Sequence, residues 1–175
     1  TAQVCWQTPA VQSGTNNTAI PIPDALSPPI TSNIVIGSAG TFLTNVTLTT
    51  FITHTFAGDL DITLTSPAGT VVTITTDNGV SSDDVFNGTL WDDDANDPVT
   101  DHTFTNLVIA TPLSPEEPLA TFWGENPNGV WTLTIGDDTG ADTGTLNSWS
   151  LNVSSLPAPV TTTAPTSFNN SAVTP

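Results

Sequence analysis

The chain has 175 residues with no lysine and no arginine against 17 Asp plus Glu, a formal net charge of -17 at pH 7. Nucleic-acid binding, phosphate capture and docking on an anionic membrane all use cationic side chains, so the composition excludes these classes. A surface of one sign takes its counter-charge from solution, and metal cations are the obvious source.

The length fits one domain with extensions, and 37% hydrophobic residues with 7 Phe and 5 Trp are enough for one core. Without Lys or Arg the chain offers no trypsin-type cleavage site and no lysine for cross-links, which suits persistence outside a cell. The single Cys5 has no internal disulfide partner; it is either a small apolar residue or a bridge to another chain. No basic n-region and apolar h-region precede it, so any export signal is expected to have been removed already. No run approaches the roughly 20 apolar residues of a membrane span, and the chain is expected to be soluble.

In chain order, residues 1–14 form an expected N-terminal extension, and residues 1–30 carry Pro9, Pro21, Pro23, Pro28 and Pro29. From Thr41 to Phe56 apolar Val46, Leu48, Ile52 and Phe56 share one parity while Asn45, Thr47, Thr49, Thr53 and Thr55 share the other. This predicts a half-buried strand. The period of two returns at Leu60, Ile62 and Leu64, at Val72 and Ile74, at Trp131, Leu133 and Ile135, and at Trp149, Leu151 and Val153. Turn clusters rich in Gly, Asp, Asn and Pro separate these runs, and none has helical spacing with caps. An all-β sandwich over residues 15–155 is the expected fold. Residues 156–175, LPAPVTTTAPTSFNNSAVTP, read as a Pro/Thr/Ser-rich tail.

Three stretches resemble a known family: ITHTFAGDLDITLTSPAGT (Ile52 to Thr70), FNGTLWDDDA (Phe86 to Ala95) and PLATFWGENPNGVWTLTIGDDTGADTGTLNSWSLNV (Pro118 to Val153). In order and spacing they are similar to the P domain, or P/Homo B domain, over roughly residues 15 to 155, and TAIPIPD (Thr18 to Asp24) is similar to the entry segment of many bacterial copies. The resemblance implies a jelly-roll-type β-sandwich, secreted and often calcium-binding. In the best-known members the domain follows a subtilisin-like protease domain and stabilises it; in many bacterial proteins it is a module of a larger secreted or surface chain. The 175 residues themselves contain no protease domain, and a fold alone does not settle function.

The residues themselves point first to packing. Gly58 permits a tight turn that brings Asp59 and Asp61 to the head of a strand with Leu60 inward, and Gly124 and Gly129 bracket a loop that delivers Trp131 to the core. His54 shares the parity of Ile52 and Phe56, which predicts a buried, hydrogen-bonded imidazole. Trp131 and Trp149 are expected in the core, whereas Trp6, Trp91 and Trp123 are open to an interface role.

Acids supply the chemical signal. Asp92, Asp93, Asp94, Asn96, Asp97 and Asp101 form a D-x-D-x-N spacing able to place oxygens around one hard cation, and calcium takes six to eight oxygens. The loop is not an EF-hand, since Asp97 stands where Gly is needed and Thr103 where Glu is needed. Asp83 with Asp84, Asp59 with Asp61, and Asp137, Asp138 and Asp142 form further clusters at strand ends. At least one calcium site is expected among Asp59, Asp61, Asp83, Asp84, Asp92, Asp93, Asp94, Asp97, Asp137 and Asp138; the bland alternative is acids that cap backbone amides in turns. The two histidines, His54 and His102, come with no G-x-S-x-G turn and too few His or Cys for a zinc site. A non-enzymatic chain is expected. Sequons stand at Asn16, Asn45, Asn87, Asn152 and Asn169.

Three functions compete at this level. The leading expectation is an extracellular structural subunit that polymerises with copies of itself through its ends, with Cys5, Trp6, Val160 and Phe168 at the interface and calcium neutralising the acids. The alternative is an accessory P domain of a larger secreted protease or adhesin. The third is a glycan-binding module that stacks sugars on Trp6, Trp91 or Trp123.

Overall fold

A computed structural model of the chain describes residues 8–25 and 27–157. Nine strands occur in these residues: β1 (Ala10–Asn16), β2 (Ile20–Ile22), β3 (Ile30–Ile36), β4 (Phe42–His54), β5 (Leu60–Thr65), β6 (Val71–Thr75), β7 (Asn87–Trp91), β8 (Gly129–Asp137) and β9 (Gly144–Leu156). They form two antiparallel sheets, one in the order β1-β9-β4-β7 with β2 also on β9, the other in the order β3-β8-β5-β6. The expected all-β sandwich is therefore what forms. Among the described residues no helix is long and apolar enough to cross a membrane.

Alternation explains the core. On β4, Val46, Leu48, Thr50, Ile52 and His54 point inward, and the bulges at Leu43/Asn45 and Phe51/Ile52 reset the pairing with β9. Leu60, Ile62 and Leu64, Val72 and Ile74, Trp131, Leu133 and Ile135, and Trp149, Leu151 and Val153 are all buried, as their parity predicts. Each core indole N–H finds an acceptor: Trp91 donates to Thr50 Oγ1 at 3.0 Å, Trp131 to the Pro127 carbonyl at 2.9 Å and Trp149 to Ser32 Oγ at 2.8 Å. Three large rings thus enter the core without an orphaned donor.

The sandwich starts inside the segment expected to be an extension. β1 runs along β9 from Ala10↔Ser155 to Asn16↔Trp149, so this strand completes its own sheet. Among the described residues of that segment no unpaired strand remains.

The long segment between β7 and the 3-10 turn Leu119–Phe122 has little regular structure but is pinned. Ala110 N donates to Val85 O, Leu113 N to Leu90 O and Ser114 N to Asp97 O, while Val99, Ala110 and Leu113 are buried. A chain of ring contacts, Trp91 to Phe86 to Phe104 to His102, ties the segment to the core. Backbone hydrogen bonds thus hold the segment in place although it is neither helix nor regular sheet.

Candidate functional site

β4 spans the sandwich, so Phe42 and His54 mark opposite ends, roughly 40 Å apart along an extended strand. Around His54 lies an acidic end. The imidazole is 2% exposed, its Nε2 donates to Asp137 Oδ2 at 3.1 Å, and its Nδ1 lies 2.8 Å from the Phe56 carbonyl. The His54 amide donates to Asp84 Oδ1 at 2.9 Å. Gly144 faces His54 across the sheet, and a Cβ there would collide with Thr53 O and with the imidazole ring. The glycine is what admits the buried ring.

Asp59 closes this end from the 3-10 turn Ala57–Asp59 that precedes β5, with Leu60 fully buried as expected. Burial raises the Asp59 carboxyl above its ordinary value, and the neighbouring charges of Asp137, Asp142 and Asp138 add to the rise against a smaller opposing effect of His54. Asp61 is raised too, by burial and then by Asp138, Asp77 and Glu116. Thr55 Oγ1 donates to Asp142 Oδ1 at 2.7 Å, and Asp138 N donates to the Asp59 carbonyl at 3.1 Å. Asp83 lies one residue before Asp84, with its carbonyl accepting from Leu107 N at 3.0 Å.

The Asp92 to Asp97 loop does not gather its carboxylates at one point. Asp93 accepts the Leu119 and Ala120 amides at 2.8 and 2.7 Å, one on each oxygen. Asp92 Oδ1 accepts the Asp94 amide at 3.0 Å, Asp97 Oδ2 meets His102 Nδ1 at 2.7 Å, and Asp94 is exposed. Among the described residues no group of three or more His, Cys, Asp or Glu is arranged to hold a metal ion. In this loop Asp92, Asp93 and Asp97 are held by backbone amides and an imidazole.

The opposite end is apolar and open. Phe42 pairs with Leu156, and Ala10 with Ser155, so both limits of the sandwich emerge beside it. Gly124 N donates to Leu43 O at 2.8 Å and Leu43 N to Glu125 O at 2.9 Å, which fastens the 119–129 loop to the start of β4. Gly124 adopts φ +87, and its Cβ position lies 3.7 Å from the Phe42 ring. Trp123 directly precedes Gly124 and is 55% exposed, and Phe42 is 46% exposed. Exposed large aromatics are a residue type enriched in contact surfaces.

The remaining expected residues fall as follows. Cys5, Trp6, Val160, Phe168 and Asn169 lie outside the described residues. Trp91 is fully buried, which removes it from any interface. Asn16 spends its side chain inside the fold, donating to Ser32 Oγ and Asn33 O; Asn45 and Asn87 are half-buried, and Asn152 is exposed. Among the described residues each histidine pairs with an aspartate, and neither reaches a serine hydroxyl. Phe42 was not singled out by sequence reasoning; it shares the even parity of Val46, Leu48 and Ile52, and the irregularity between Leu43 and Asn45 leaves it exposed.

By architecture the chain is a two-sheet, all-β module. It matches the proprotein convertase P-domain over residues 43–153, and it belongs to that family. It is 31% identical over 147 residues to leupeptin-inactivating enzyme 1 of Streptomyces exfoliatus, covering 82% of this chain and 26% of that protein. It is 30% identical over 139 residues to the transglutaminase-activating metalloprotease of Streptomyces mobaraensis, covering 78% of this chain and 14% of that protein. The same fold occurs in two crystal structures of the Aeromonas sobria serine protease. In its complex with a chaperone the TM-score is 0.58 at 19% identity, over 86% of this chain and 28% of the protease. In the second structure it is 0.55 at 18% identity, over 87% and 28%.

These relatives correct the leading expectation. A self-polymerising filament subunit is not what this chain resembles: its sequence relatives are far longer proteins, one of them a protease, in which it corresponds to a minor part. The strand available at the N-terminal side is also already paired within the domain.

Proposed function

We propose that this chain is the accessory P domain of a larger secreted protease, in which it stabilises a neighbouring catalytic domain and performs no chemistry itself. The observation that carries this reading is that a segment similar to this chain is a minor share of a metalloprotease, while the same fold forms a minor share of a serine protease. Metal-assisted and serine-based hydrolysis require different catalytic groups. A module common to both is therefore expected to contribute something other than those groups, such as stability or positioning. The histidine pairings fit this reading, since each is tied to an aspartate and neither meets a nucleophile.

The absence of Lys and Arg supports persistence beside a protease, because enzymes that cut after basic residues find no site in this sequence. Location outside the cell is part of the proposal. The test is deletion of residues 43–153 from the longer polypeptide. Loss of most recoverable protease activity after brief heating, with catalytic residues untouched, is the expected result. A deletion protein as active and heat-resistant as its parent would overturn the reading.

A further inference from the structure

We infer that the aromatic end of the sandwich, Phe42 with Trp123, is the face on which the catalytic domain of the same polypeptide packs; the inference rests on the accessory-domain reading above. Two exposed regions that carry aromatic rings compete for this role among the described residues. One is Leu107, Val108, Ile109 and Phe51 on the β7 side, the other Phe42 with Trp123. The path of the chain decides between them. Ala10 pairs with Ser155 and Phe42 with Leu156, so the sandwich is entered and left at the Phe42 end. A domain joined before β1 or after β9 is tethered to that end of the sandwich, which raises its effective concentration there.

The chemistry of the face describes its occupant. Two aromatic rings, 46% and 55% exposed, ask for an apolar pocket. The matching surface is therefore apolar. At the acidic end the His54 ring is buried and the carboxylates of Asp84, Asp137 and Asp142 have partners within the domain, so that end presents no exposed aromatic anchor.

The experiment uses the whole polypeptide with residues 1–175 in place. Phe42→Ser with Trp123→Ser is compared with Leu107→Ser and Val108→Ser, by calorimetry and by the half-life of protease activity at elevated temperature. The aromatic pair is expected to split a joint unfolding transition into two and to shorten the half-life by about tenfold or more, while the Leu107 and Val108 variant keeps the parent behaviour. The transition of the sandwich itself is expected to stay in place, which separates lost docking from misfolding. A coupled transition that survives the aromatic substitutions, or that is lost equally in the control, overturns the inference alone. A polypeptide without a catalytic domain overturns the accessory reading and this inference together. Dimerisation of the 175-residue chain that disappears with Trp123→Ser would assign the face to a second copy instead, and quenching of Trp123 fluorescence by added oligosaccharide would assign it to glycans.

Discussion

At the His54 end of the sandwich, Asp137 meets the buried imidazole, Asp84 accepts the His54 amide, Asp142 accepts from Thr55, and the Asp59 carboxyl is raised by burial and by the neighbouring Asp137 and Asp142. At the Phe42 end two aromatics stand in water where the chain enters and leaves. The acidic end is chemically richer, and the carboxylates of Asp84, Asp137 and Asp142 there are held by groups of the domain itself. The plain, apolar end has unmet contacts, and unmet contacts are what a partner supplies. Residue chemistry alone is therefore a poor guide to where this module acts.

The largest test of this contrast is removal of the imidazole. His54→Ala leaves the Asp137 carboxylate buried without its partner, and the expected loss is about 3–5 kcal/mol in urea denaturation. A loss below about 1 kcal/mol would show that the acidic end does not depend on the pair. Asp93→Ala strips the Leu119 and Ala120 amides of their shared acceptor, with an expected cost of about 2 kcal/mol. Asp93→Asn keeps one acceptor and is expected to lose less. Gly144→Ala forces a methyl against Thr53 O and the His54 ring and is expected to cost about 1–3 kcal/mol.

Acidity sharpens the comparison further. The Asp59 and Asp61 carboxyls are raised in the folded state by burial and by neighbouring acids. The folded protein then binds these protons more tightly than the unfolded chain does. Their contribution to stability is fully present below the unfolded-state value and is lost as pH rises through the folded value. Moderate acidification from neutral pH is therefore expected to raise the melting temperature through these two groups, and Asp59→Asn should raise it at pH 7 and flatten that rise. A parent-like profile in Asp59→Asn would contradict the assignment. The smallest effect belongs to Glu117, lowered by its hydrogen bonds to Thr73. Its contribution runs the other way, present at neutral pH and lost as pH falls through the folded value, so Glu117→Gln should slightly steepen the gain on acidification.

Much of the fold was legible because β4, β5, β6, β8 and β9 alternate apolar and polar residues over a buried face. β1 was not, since as an edge strand it has no fully buried residue and no alternation to detect. β3 hid its register by placing Ser32 inward, where it accepts from Trp149. β7 is five residues that begin beside a positive-φ glycine, Gly88. His54 and the two core tryptophans Trp131 and Trp149 followed from parity. The hydrogen-bond partners of the Asp92 to Asp97 loop did not, because spacing reveals which oxygens are close in sequence and not which backbone amides they accept. Trp91 and Trp123 look alike in sequence; only the packing of β7 against β4 separates the buried ring from the exposed one.

The most direct measurement is hydrogen exchange of the longer polypeptide against the 175-residue chain, read by mass spectrometry on peptides from both ends of the sandwich. Added protection is predicted at Phe42 and across Trp123 to Glu125, with the loops around Val80 and Asp138 exchanging alike in both. Protection confined to the His54 end, or no difference at Phe42 and Trp123, would contradict the account.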